Sequence, residues 1–321
     1  MIAPVALIIF AAILVMFGPV LLRRSTWLEQ SPRIGIAAWQ VLSIALVLTA
    51  LLAGLALAVP TIPWTTHLAE LVRSCAMALR AQYSTPGGAL ISTIGAFAAL
   101  AILARIAYFL ITGLASAAHN TRQQLQNLAI VAKPHRDYNA LVVEHSSAAA
   151  YCLPGRHHRV VLTSAALTVL DHNQLAAVLA HEQAHLRGHH HLILVVADAL
   201  QHAFPTVSIF YEARIALGRL VEMLADDNAA QRSDRLTVAT ALVRLAEHGM
   251  TPVAALGASG DSTLNRVRRL VAPVKPLGAG KTVVAVIATS VLLILPLSFA
   301  IAPASAAGTM RHCSLDNSSN T

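Results

Sequence analysis

The sequence predicts a mainly α integral membrane protein, with four transmembrane helices and an α+β domain between the third and the fourth. Two observations predict the membrane part. The chain of 321 residues is 56% hydrophobic and 12% charged, about half the charged fraction of soluble domains. It also carries four apolar runs, at about residues 2–22, 34–59, 89–114 and 282–303, each long enough to cross a bilayer at about 1.5 Å per helical residue. A third observation predicts the inserted domain: of 15 histidines, 13 fall between His119 and His248, where polar residues are frequent. The expected organisation is 1–114 with three membrane helices and short loops, 115–281 as the inserted domain, 282–303 as the fourth membrane helix and 304–321 as a short tail.

Each element follows from local composition. Arg23 and Arg24 follow the first run, whereas a secretory signal carries its charges before the apolar region, so the run reads as a retained helix. Pro60 and Pro63 end the second run, and 61–87 reads as a polar connector. Arg105 lies within the third run; an intramembrane charge is a functional candidate, but snorkelling to the headgroups or a structural pairing is the favoured reading. Pro296 in the fourth run is tolerated in a bundled membrane helix. Residues 115–145 are mixed and polar and are expected to end the membrane region. Residues 148–153 and 159–163 are short extended candidates, separated by Pro154-Gly155 and His157-His158, hence a hairpin or paired edge. Leu175 to Ala180 are strong helix formers, and Asp171 with Gln174 forms a capping pair at their start.

Beyond that helix, His189, His190 and His191 read as a solvated helix end. Successive helical residues diverge by about 100°, so the three cannot converge on one ion. Residues 192–210 are apolar enough to suggest a fifth span but contain Asp198, His202 and Pro205. The expectation is a helix buried against the inserted domain or dipping into the membrane interface. Residues 212–247 are expected to be helical throughout, Gly249 to Gly260 a flexible surface stretch, and Leu264 to Leu270 a basic amphipathic helix. The tail from Ala304 reads as short, polar and disordered.

Charge asymmetry predicts orientation. Arg23, Arg24, Arg33, Arg122, Lys133, Arg266, Arg268, Arg269, Lys275 and Lys281 flank one side of the runs; Arg73, Arg80 and Arg311 flank the other. The positive-inside rule puts the first set in the cytoplasm, so both termini are expected outside and 115–281 inside, in a multi-pass plasma or inner membrane protein. The net charge of +8 lies beside apolar segments rather than in one stripe, so direct nucleic-acid binding is not expected. Three cysteines, Cys75, Cys152 and Cys313, are too few for a disulfide framework. Cys75 and Cys313 fall on the outer side, where a bridge or two free thiols both remain open.

The chemistry lies in His181-Glu182-Gln183-Ala184-His185. On a helix, positions i and i+4 share a face, so two imidazoles can grip one zinc ion. Glu182, one residue along, can reach an attacking water as general base. A catalytic zinc needs a third protein ligand. Glu222 is the candidate, in Glu222-Met223-Leu224-Ala225-Asp226, with Asp226 one turn on to hydrogen-bond a ligand imidazole. The HExxH pattern alone could be a solvated helix face; the second carboxylate pair on a downstream helix points to metal chemistry.

Four stretches carry a resemblance: Cys152-Leu153-Pro154-Gly155, Val160-Val161-Leu162-Thr163-Ser164, Leu175 through Glu182, and Glu222 through Asp226. Together they resemble the BlaR/MecR antirepressor membrane metallopeptidases and, more distantly, HtpX and CAAX-protease-like peptidases. The resemblance spans roughly 115–281. It implies a zincin-like metallopeptidase domain with one Zn²⁺ per chain and an edge strand that takes an extended substrate by strand addition, the second strand being the better candidate. It also implies that Arg266 braces the active site, the alternative being headgroup binding by the same helix. BlaR/MecR sensors carry a penicillin-binding domain after their last membrane helix; 304–321 has no room for one, so only the protease half is expected.

The expected function is a membrane-embedded zinc metalloendopeptidase cutting a cytosolic or membrane-proximal protein, foremost a BlaI/MecI-like transcriptional repressor in antibiotic or envelope-stress signalling. The alternatives are an HtpX-like quality-control protease and a non-catalytic zinc-bound signalling scaffold. Partners beyond substrate and bilayer, and the oligomeric state, are open.

Overall fold

The computed structural model describes residues 2–25, 27–58, 87–155, 159–249, 256–273 and 278–313. Nearly all of the 61–87 connector, His157-His158 and the tail beyond 313 lie outside the described residues. The Cys75–Cys313 question lies there too.

Four helices are long and apolar enough to cross a membrane, within α1 (Ile2–Arg24), α3 (Pro32–Ala58), α4 (Gly88–Val131) and α11 (Ala279–Cys313). A short α2 (Trp27–Gln30) links the first two. The hub is α3, which packs against α1, α4 and α11 and buries 44% of its apolar window, against 17% or less for the others. Its crossing with α4 is backbone to backbone. A Cβ on Gly95 would meet the Gly54 carbonyl oxygen and Leu57 Cβ at 2.6 Å each. Gly54/Ala58 and Gly95/Ala99 form small-xxx-small pairs on facing helices, which permit such close approach.

The expected end of the third apolar segment near residue 114 is not the end of its helix. α4 runs on to Val131, because the stretch after Ala115 holds helix formers and no Gly or Pro. Ala132 turns extended and Pro134 follows. Four short strands come next: β1 (Lys133–His135), β2 (Ala140–Val143), β3 (Ala150–Leu153) and β4 (Arg159–Thr163). The sheet order is β1-β2-β4-β3, with β2 and β4 parallel and the outer pairs antiparallel. The 148–153 and 159–163 stretches do pair as a hairpin, but β4 is interior. The free edges belong to β1 and β3, and β3 is the one that contacts the HExxH helix, so the substrate-edge expectation for the second strand does not stand.

Alternation along the strands decides what covers each face. Val161 and Leu153 face Leu125 and Leu128 of α4's extension, while Val160, Leu162 and Cys152 face the helix that carries the HExxH motif. That helix, α6 (His172–Arg187), follows the short α5 (Ser164–Val169). It starts with the capping box read from the sequence: Gln174 N donates to Asp171 Oδ1 at 2.9 Å, and Asp171 N donates to Gln174 Oε1 at 3.2 Å.

Residues 192–210 form neither a span nor one buried helix. α7 (His190–Ala203) and α8 (Ser208–Ala230) fold back on each other at Phe204-Pro205. Ile209, Phe210, Ala213 and Leu217 then pack against Trp39, Leu42, Ala45 and Leu46 of α3. Asp198 and Arg214 pair across this hairpin. Arg105 of α4 donates to the Ala203 carbonyl and lies 5.6 Å from the Phe109 ring centroid. It therefore caps the last turn of α7, a structural pairing rather than snorkelling. The expected continuous helix over 212–247 breaks at 231–234, where Asp234 caps α9 (Arg235–Glu247) by accepting from Thr237 N at 2.8 Å. α10 (Leu256–Val271) begins inside the stretch read as flexible, and α11 continues as helix into the stretch read as a disordered tail.

Gly95→Val should destabilise the α3–α4 crossing by about 1–3 kcal/mol through overpacking. Gly218→Ala, whose Cβ meets nothing within 4 Å, should instead stabilise α8 by about 0.5–1 kcal/mol. Thermal unfolding in detergent compares the two.

Candidate active site

Three helices and one strand build the site. α6 supplies His181 and His185 from successive turns of one face, with Glu182 one residue on from His181; the capping box sets where the helix begins. α8 supplies Glu222 and Asp226, α10 supplies Arg266 and β3 supplies Cys152.

The Nε2 atoms of His181 and His185 lie 3.1 Å apart, and each lies 3.5 Å from a Glu222 carboxylate oxygen. One ligand atom from each of the three residues falls within a 4.8 Å group. Tetrahedral zinc with bonds of about 2.0–2.1 Å separates its ligand atoms by roughly 3.3 Å. The donor set and its spacing therefore fit such an ion.

Behind this group sits Asp226, 1% exposed. Its Oδ1 lies 3.0 Å from His181 Nδ1. Arg266 donates to it twice, Nε to Oδ2 at 2.8 Å and Nη2 to Oδ1 at 2.6 Å, while Nη1 reaches Glu222 at 3.0 Å. Arg266 thus joins the two carboxylates of the Glu222/Asp226 pair, and the headgroup alternative for it falls. Asp227, one residue on, points away from the centre and is gripped by Arg269 through contacts of 2.8 and 2.7 Å. Arg269 also donates to the Glu29 carbonyl of α2 at 2.9 Å. Sequence reading missed this second clamp, although arginines three apart facing adjacent aspartates were there to be matched.

Electrostatics follow from this crowding. Burial pushes Asp226 and Glu222 upward, but Arg266 and His181 outweigh it and hold each at about 2. Burial pushes His181 downward; the Asp226 and Glu222 carboxylates outweigh it and raise His181 to about 9. His185, with only Glu222 opposing its burial, drops to about 4. Glu182 is raised, burial being the largest cause. Burial and the nearby Glu182 push the Cys152 thiol up to about 12.

Two further contacts escaped the sequence. Cys152 faces the Glu182 carboxylate from the edge strand. His190, expected to be solvated, is 2% exposed and lies against His185 at 3.0 Å. A cavity of about 230 Å³ opens at the centre, lined by the polar His181, Glu182, Glu222 and Arg266 and by the apolar Val178, Val238, Ala241, Leu242 and Leu245.

A helix bearing HExxH and a carboxylate from a second helix thus give a His-His-Glu group that could hold a metal ion beside a cavity. Residues 115–274 match the family model described as Peptidase family M48, a match that supports a zinc metallopeptidase family. The match does not single out the BlaR/MecR type. No curated protein and no solved structure matches the chain.

Metal binding here should be coupled to protons. His181, at about 9, is protonated at neutral pH in the metal-free chain, and a ligand imidazole must be neutral. Zinc affinity should therefore rise about tenfold per pH unit between pH 6 and 8, one proton leaving per ion bound. Chelator-competition titrations across that range measure the slope; a flat profile contradicts the His181 assignment. The matching sign for the metal-free chain is that His181's contribution to stability is full below about 6.5 and lost as pH rises through about 9.

Proposed function

We propose that the protein is a membrane-embedded zinc metalloendopeptidase. The observation that carries this is the convergence of His181, His185 and Glu222 within 4.8 Å, with Glu182 lining the adjoining cavity. In this reading His181, His185 and Glu222 hold one Zn²⁺, and Asp226 and Arg266 brace them. Bound zinc would acidify a water toward pKa about 7 and polarise the scissile carbonyl.

The remaining work belongs to side chains. Glu182 accepts the water proton and delivers it to the leaving amine; its raised affinity for protons suits that shuttle. The free edge of β3 offers backbone N–H and C=O groups to an extended peptide, which needs no particular sequence to pair. The apolar half of the cavity then receives a side chain of that peptide. A non-catalytic scaffold has no use for a half-buried carboxylate at position 182.

Two substrate classes fit. The BlaR/MecR resemblance favours a cytosolic repressor and an antirepressor role in antibiotic or envelope stress. The packing of α8 on α3 favours membrane-protein substrates, as in HtpX-like quality control, because it sets the centre beside the candidate spans. The basic residues clustered at one set of span ends support a cytoplasmic centre with both termini outside.

Glu182→Gln should retain metal and lose about 10²- to 10⁴-fold in turnover, the usual contribution of a general acid–base. Peptide fragments from cells carrying wild-type and variant protein identify the substrate: loss of fragments from a soluble repressor supports the signalling role, and loss of fragments from membrane proteins supports quality control. Retained proteolysis by the variant contradicts the mechanism.

Orientation has its own check. A reporter after Thr321 should read extracytoplasmic and one between Ser233 and Asp234 cytoplasmic. Both on one side would refute the four-span arrangement.

A further inference from the structure

His190 is the first residue of α7, a position ordinarily open to solvent, yet it is buried. Its Nδ1 lies 3.0 Å from His185 Nδ1, and the two rings meet nearly edge to face, at 84° with centroids 4.8 Å apart. The atom that His185 turns toward Glu222 and His181 is the other nitrogen, Nε2. His190 therefore touches the back of the ring and contributes no atom to the converging group. The two α6 histidines are treated alike: each points Nε2 forward, and each has a partner at Nδ1, Asp226 for His181 and His190 for His185.

The turn between α6 and α7 is shaped around this contact. His189 takes the left-handed conformation, φ 48°, which reverses the chain within two residues. A Cβ at Gly188 would stand 2.4 Å from His190 Nε2 and 2.6 Å from its Cδ2. The glycine leaves the space into which the imidazole folds back.

We propose that His190 is a positioning residue for His185. Its unprotonated Nδ1 accepts the Nδ1–H of His185 and holds that ring in the tautomer whose Nε2 lone pair is free for a metal ion. The inference rests on the metallopeptidase reading of the site. A ligand imidazole without such an acceptor can exchange tautomers and swing about its side-chain bonds; a fixed partner removes both freedoms. The acceptor is neutral, so it orients His185 without adding a fourth carboxylate to a centre that already holds Glu182, Glu222 and Asp226.

The test uses the full chain in detergent and three variants. His190→Asn keeps an acceptor near the place of Nδ1, His190→Phe keeps the ring and loses the acceptor, and His190→Ala loses both. The readouts are Zn²⁺ dissociation constants by chelator competition, the visible d–d spectrum of bound Co²⁺, and thermal unfolding of the metal-free protein. His190→Phe and His190→Ala should weaken Zn²⁺ binding about 10- to 100-fold and alter the Co²⁺ spectrum. His190→Asn should recover most of the affinity, and metal-free His190→Phe should unfold close to wild type. If His190→Phe binds Zn²⁺ as tightly as wild type, or if His190→Asn is as weak as His190→Ala, His190 serves packing alone and the proposal is overturned. A wild-type protein that binds neither ion overturns the metallopeptidase reading itself, a distinct result.

Discussion

One buried carboxylate holds the centre together. Asp226 is shielded from water almost completely, and an ion in that position costs several kcal/mol unless close partners offset it. His181 and Arg266 are those partners, from two other helices. The same Arg266 then reaches Glu222. A single ionic network therefore links α6, α8 and α10 and orients both a histidine and a glutamate toward one point. Removing Asp226 would leave the Arg266 guanidinium with Glu222 as its remaining partner and take the His181 ring's carboxylate away.

The second constraint is that α8 belongs to two structures at once. One face of it packs on α3 among the candidate spans, from Ile209 as far as Leu220, and the turns that follow carry Glu222 and Asp226. From Ile209 to Glu222 is about 20 Å along the helix axis. The α4 helix does the same for the sheet, leaving its apolar run to cover Val161 and Leu153 with Leu125 and Leu128. Arg269 adds a third tie, from α10 to the α2 linker. The candidate site is thus set on the apolar helices by continuous elements.

Several contacts that complete the site are tertiary in kind. The edge beside α6 belongs to β3, because β4 is paired on both sides. Two strands of similar composition cannot announce which of them lies inside a sheet; strand order is set by what packs across the faces. His190 reads as one of three consecutive polar histidines until the Gly188-His189 turn folds it onto His185. Arg266 and Arg269 read as a basic amphipathic face until the neighbouring aspartates show where they point.

What local sequence could establish is whatever depends on near neighbours in the chain. The apolar runs follow from composition, and the α6 start follows from Asp171 and Gln174, three residues apart. The spacing of His181 and His185 puts them on one helical face, and that of Glu222 and Asp226 does the same on another. Folding added what depends on residues tens to hundreds of positions apart: the α7–α8 reversal that returns Glu222 to His185, the arginine clamps from α10, and the choice of β3 as the edge strand beside α6. These rest on which buried charge finds a counter-charge and which apolar face finds cover, and both are satisfied across helices, not along them.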